Sequence, residues 1–143
     1  MNDLSWRKFA ALGGGGTLGC WLRYVLSTLL NPLFPNLPLG TLASNWIAAF
    51  LIGCLLGTFW QFEKLPAEIR LFTMTGILGG LSTYSTFSAE AVNFFLAGRY
   101  GVFAIHVLSH LIGSLALTLL GIYLVNVLFH RQPLDIDTPN SKK

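Results

Sequence analysis

Charge is what this sequence has least of. Only 10% of its 143 residues are Asp, Glu, Lys or Arg, against roughly 25% in a soluble domain. From Tyr24 to Phe62, from Leu71 to Ala89 and from Gly101 to His130 there is none at all. A spanning helix needs roughly 20 apolar residues at 1.5 Å rise to cross a ~30 Å hydrocarbon core, so these runs are of membrane length. The chain has room for four spans and none for an extramembrane catalytic domain. Cysteine is nearly absent too. Cys20 and Cys54 lie in apolar stretches without a CxxC spacing or a neighbouring His cluster, so a disulfide framework or a zinc site has no support. The net charge of +3 comes from bases scattered around the apolar runs. No basic patch of the kind that binds nucleic acid is present.

What is there is hydrophobic, at 53% of residues and a mean hydropathy of +0.62. The first span is expected over about Phe9 to Leu30, closed by Asn31 to Pro38 with its three prolines, which cannot continue a helix. The second is expected over about Leu39 to Trp60, with Trp60 at an interface. The third runs from near Ile69 to Leu96, and the fourth from about Tyr100 to Phe129. Residues 1–130 therefore form one transmembrane domain, and the polar tail, 131–143, reads as disordered. With four spans both termini share a side. Arg7, Lys8, Lys64, Arg70, Arg131, Lys142 and Lys143 fall there, against Arg99 alone on the other, so the termini should be cytoplasmic.

The 15 glycines lie mostly inside the spans, where small residues let helices approach closely in lipid. The stretch from Gly79 to Glu90 is different. It places Ser82, Thr83, Ser85, Thr86 and Ser88 directly after the Gly79-Gly80 pair. Glycine weakens a helix, and Ser and Thr offer its backbone competing hydrogen bonds, so the third span is expected to break mid-membrane. Freed backbone groups cannot face lipid. Converging carbonyls would suit a small cation such as Na⁺, and amides with hydroxyls would suit an anion. Tyr84 and Phe87, three residues apart, can offer the positive ring edges of the aromatic quadrupole to one small volume.

Four other polar positions stand out within spans. Arg23 should snorkel to the far interface or attract anions in a wet vestibule. Glu90 can pair with Arg23, cap the restarted third helix or carry protons. Asn45 suits either an interhelical bond or a passing ion. His106 and His110 stand at i and i+4, with Ser109 and Ser114 nearby; a polar helix face fits them better than a metal site.

Three blocks together resemble the Fluc (CrcB-type) fluoride channel family, from Gly13 to Leu128. Gly15-Gly16-Thr17-Leu18-Gly19-Cys20-Trp21-Leu22-Arg23-Tyr24 looks like that family's first-helix GGxxGAxxRY. Gly40-Thr41-Leu42-Ala43-Ser44-Asn45, continuing to Gly53, looks like its GTLxxNxxGxFxxG. Gly76 through Glu90 is similar to its GxxGGxTTFSTFSxE. The resemblance implies a fluoride-selective passive channel, not an enzyme, in a bacterial-type inner membrane. It also implies an antiparallel, dual-topology dimer with two pores along its interface and a structural Na⁺ at its centre. By position, Gly79 and Ser82 would offer carbonyls to Na⁺. Asn45 would be the pore asparagine, Tyr84 and Phe87 the ring pair, and Ser85 and Thr86 the hydroxyl path, extended by Ser109 or Ser114. Arg23 would sit in the vestibule. Among its departures from the pattern, Tyr84 replaces a phenylalanine, Ser82 a threonine and Ala48 a glycine. The large charge bias for a chain that inserts both ways makes a paired homologue an alternative partner to a second copy. The competing function is a small proton-coupled multidrug or cation exporter, for which Glu90 would be the proton carrier.

Overall fold

The computed structural model describes residues 6–34, 36–58 and 63–129. Trp60, the tail from Arg131 to Lys143 and its three basic residues lie outside the described residues. All regular structure among the described residues is helical. Helix α1 is Trp6–Leu30 and α2 is Leu39–Gly57. Between them Pro32 opens a single 3₁₀ turn, Asn31–Leu33. The Asn31 carboxamide oxygen then accepts the backbone N–H of Gly40 at 2.8 Å, satisfying one of the free donors at the start of α2. Helix α3 spans 67–81, α4 is Tyr84–Leu96 and α5 is Tyr100–Leu128. Two helices, α2 and α5, are long and apolar enough to cross a membrane.

The helices pack chiefly as two pairs, α1 with α3 and α2 with α5, and glycine lets each pair close. A Cβ on Gly15 would sit 3.0 Å from the Gly76 Cα, and one on Gly76 would sit 2.8 Å from the Gly15 Cα. One turn on, a Cβ at Gly19 would press on the carbonyl of Ile77 and the N–H of Leu81. In the second pair, Gly53 lies against the Thr118 backbone and Gly121 against Phe50 and Cys54. Two hydrogen bonds reinforce that crossing: Trp46 Nε1 donates to the Ser109 carbonyl at 3.1 Å and Thr118 Oγ1 to the Ala49 carbonyl at 3.2 Å.

Helix α3 departs from regular α geometry twice. From Leu71 to Leu78 it is widened to the π form, in which each N–H reaches back five residues. The widened turns bring the carbonyls of Phe72 and Ile77 onto Gly15 and Gly19 of α1. Then, between α3 and α4, Ser82 (φ −74°, ψ 152°) and Thr83 (φ −149°, ψ 115°) leave the helical conformation for extended backbone.

The core mixes apolar side chains such as Leu42, Leu78 and Leu81 with polar ones. Its most deeply buried side chains include Thr41, Ser44 and His106, whereas Ile105, Leu108, Leu111, Ile112, Leu115 and Leu119 of α5 are exposed. So large an apolar surface on one helix is foreign to a water-soluble monomer. It fits a helix surrounded by lipid or by another apolar surface.

Candidate functional site

The extended pair Ser82-Thr83 redirects the backbone hydrogen bonds of its neighbourhood. In an unbroken helix the Thr83 N–H would donate to the Gly79 carbonyl. Here it donates to Asn45 Oδ1 at 2.7 Å, and Asn45 Nδ2 donates back to the Thr83 carbonyl at 3.1 Å. One carboxamide on α2 thus satisfies both backbone groups of a buried residue. The Thr86 N–H, which would otherwise reach the Ser82 carbonyl, donates instead to Thr83 Oγ1 at 3.2 Å, an N-cap for α4. The helical partners of two carbonyls, Gly79 and Ser82, are thereby taken by side chains. Two backbone oxygens three residues apart thus lose their helical N–H partners.

The Thr83 hydroxyl also meets Thr86 Oγ1 at 3.0 Å and Ser85 Oγ at 3.3 Å. Ser85 and Thr86 are exposed in the single chain, and so is Tyr84 at 81%. The Tyr84 ring lies 5.6 Å from that of Phe87, and Phe87 lies 4.6 Å from the His110 ring and 5.2 Å from that of His106. Beside this cluster runs an open-sided groove of about 550 Å³. Asn45, Ser82, Thr83, Tyr84, Phe87, His110 and Ser114 supply its polar and aromatic wall. The second hydrogen of the Asn45 amide has no partner among the described residues.

Behind Phe87, through its ring contact with His106, lies a polar knot. Glu90 accepts from Thr41 Oγ1 at 2.7 Å through one oxygen, and its other oxygen stands 3.6 Å from His106 Nε2. Neither ring nitrogen of His106 makes a hydrogen bond among the described residues. The Phe94 ring meets His106 edge-on at 5.4 Å. Beyond it lies a second cavity of about 210 Å³, lined by Asn31, Phe34, Pro38, Glu90, Asn93 and Phe94. Polar and aromatic groups thus follow one another from the groove through Phe87, His106 and Glu90 to this second cavity.

Asn45, Ser82, Tyr84, Phe87 and Ser114 line one groove, and Ser85 and Thr86 adjoin it through Thr83. Ser109 does not line it; its carbonyl is taken by Trp46. Arg23 also stands apart, its guanidinium 3.6 Å from Cys20 Sγ on the exposed side of α1. Glu90 meets Thr41 and His106 rather than Arg23. Sequence reasoning missed Thr83 as the hub of the hydroxyl cluster and Thr41 as the partner of Glu90. The i, i+4 pair His106 and His110 was visible, but nothing local showed that both rings would pack on Phe87.

Residues 10–122 match the family described as CrcB-like protein, Camphor Resistance (CrcB). The chain belongs to that family. Among its CrcB-type relatives is the fluoride-specific ion channel FluC of Nitrosospira multiformis, 52% identical over 115 residues, which are 80% of this chain and 90% of the relative. The proteins of the same name from Ralstonia nicotianae and Chromohalobacter salexigens are 47% and 50% identical. They cover 87% and 82% of this chain and 99% and 89% of their own lengths. The matched segment holds every residue of the groove and the buried knot. Family membership and the apolar helices together make this chain a membrane protein.

Proposed function

We propose that this chain is a fluoride-selective passive channel, a transporter rather than an enzyme, that lets a cell lose cytoplasmic fluoride across its inner membrane. The observation that carries the reading is the groove itself. Its wall carries an Asn45 amide hydrogen uncommitted among the described residues and the rings of Tyr84 and Phe87, and the Ser85 and Thr86 hydroxyls adjoin it through Thr83. Fluoride is small and strongly hydrated, and its water must be replaced by several close donors. Amide, hydroxyl and ring edge supply them without a fixed cation that would hold the ion too tightly to conduct. The names of the relatives point to the same ion.

A groove open along one side would lead ions into lipid, so it needs a cover. A second copy, or a paired homologue, inserted in the opposite sense would supply one and leave two pores along the interface. Tyr84 and the leucines of α5, exposed in the single chain, are the surfaces such a partner would bury. The Ser82-Thr83 interruption would then lie in mid-membrane near the partner. There the freed carbonyls of Gly79 and Ser82 would hold a structural Na⁺, which supplies a fixed charge that ties the broken segments together. Arg23, on the outer face of α1, would serve as an anion attractor in the vestibule.

The test is ion release from liposomes loaded with fluoride or chloride, with a K⁺ ionophore removing the electrical limit. The expected result is fast fluoride loss, little chloride loss, and no fluoride loss for Asn45→Asp or Phe87→Ile. Retention of fluoride by the protein alone, and by the protein reconstituted with a homologue, would sink the proposal.

A further inference from the structure

We infer that Arg99 is a rim charge that concentrates anions at the second cavity, the mouth opposite the Asn45 groove; the inference rests on the fluoride-channel reading above. Its position is built, not incidental. Helix α4 ends in a Schellman closure: Gly98 adopts φ +70°, its N–H donates to the Phe95 carbonyl at 3.0 Å, and the Arg99 N–H donates to the Phe94 carbonyl at 2.9 Å. In that motif the residue after the glycine folds back over the last turn of the helix, usually as a hydrophobic contact. Here the contact is a cation on a ring, with the guanidinium carbon 5.2 Å from the centre of Phe94. The other side of the guanidinium donates to Asn36 Oδ1 at 2.9 Å. Phe94 belongs to the helical wall of the cavity, and Asn36 lies in the loop that supplies Phe34 and Pro38 to its other wall. Arg99 therefore straps the two walls together at their edge.

The charge does nothing for the helix it precedes. Arg99 is the N-cap of α5, where the helix dipole disfavours a cation and favours an acid. It forms no salt bridge to a carboxylate among the described residues. Inside the mouth, Glu90, when ionised, presents the same sign as an entering anion. A cation fixed at the rim offsets that repulsion while staying outside the conducting path, where it cannot trap the ion.

A unit charge roughly 6 Å away raises the local concentration of a monovalent anion about threefold in water of low salt. At 1 M salt, with a Debye length of ~3 Å, the gain falls to about 1.2-fold. The experiment measures fluoride conductance in planar bilayers at low fluoride, with and without 1 M sodium isethionate, for wild type, Arg99→Gln and Arg99→Lys. Arg99→Gln is expected to conduct about threefold less than wild type at low salt and nearly as well at high salt. Arg99→Lys is expected to follow wild type at both. A deficit of the same size at both salts would make Arg99 a structural strap only and overturn the inference, as would no deficit at low salt. If Arg99→Gln does not fold, Arg99→Cys modified by a cationic or a neutral thiol reagent, against wild type treated identically for Cys20 and Cys54, must show the same salt-dependent difference or the inference falls. A wild-type protein that conducts no fluoride in the same bilayer overturns the channel reading first.

Discussion

Asn45 is the residue on which most of the site depends. Its carboxamide completes both backbone groups of Thr83, so replacing it leaves a buried N–H and a buried carbonyl unpaired, each costing about 1–3 kcal/mol. Asn45→Ala is expected to lower the thermal stability of the detergent-solubilised protein. Asn45→Asp keeps the acceptor for the Thr83 N–H but sets a negative charge against the Thr83 carbonyl and the groove. It should block fluoride release more completely than its stability loss explains, which parallel melting and efflux measurements would show. Thr83 gives a sharper comparison. Thr83→Ser keeps the N-cap oxygen of α4, and Thr83→Val removes it at constant shape, at a cost of about 1 kcal/mol. The melting temperature should fall for valine and hold for serine.

At the scale of elements, small residues set how closely the helices meet. Gly53→Leu would drive a side chain into the Thr118 backbone of α5, where no rotamer change can make room. It should abolish accumulation of folded protein, as judged by a monodisperse elution profile. Gly101→Ala, at a position open to its surroundings, should be neutral or slightly stabilising, because alanine is the better helix former. Gly98 differs again. No atom crowds it, but its φ of +70° is a left-handed conformation that costs a residue with a Cβ about 1–2 kcal/mol. Gly98→Ala should therefore loosen the Arg99 strap and cost stability together. The π-widened turns of α3 belong to the same scale, because they decide which carbonyls face the glycines of α1.

At the scale of the whole molecule, the proposed channel ties the exposed apolar face of α5 to the open groove, since a conducting path would need a wall that one chain does not supply. Crosslinking in native membranes, with tags read from each side, should find oppositely oriented copies of this chain or of a paired homologue. Glu90 separates the two transport readings. A proton-coupled exporter would lose transport on Glu90→Gln. A passive channel should continue to release fluoride, without any requirement for a pH gradient, in the same liposome assay.

How much of the molecule was legible in the sequence depends on the range of the forces involved. The charge-free runs, the prolines at 32, 35 and 38 and the Gly79-Gly80 pair ahead of five hydroxyls are local signals. Hydrophobic transfer, ring closure and backbone freedom are properties of the residues themselves, so they announce helices, ends and a weak point. Which polar group meets which is decided across 38 or 49 residues of chain, as Asn45 meets Thr83 and Thr41 meets Glu90. No spacing rule links those pairs. The sequence by itself determined that the chain is helical and belongs in a membrane, and it marked residues 79–90 as the stretch where a helix is weakest. Only the tertiary structure decided that the freed backbone is answered by one carboxamide on α2, that Glu90 turns to Thr41 and His106, and that Arg99 folds back over Phe94. These are contacts between surfaces brought together by packing, and packing depends on every helix at once.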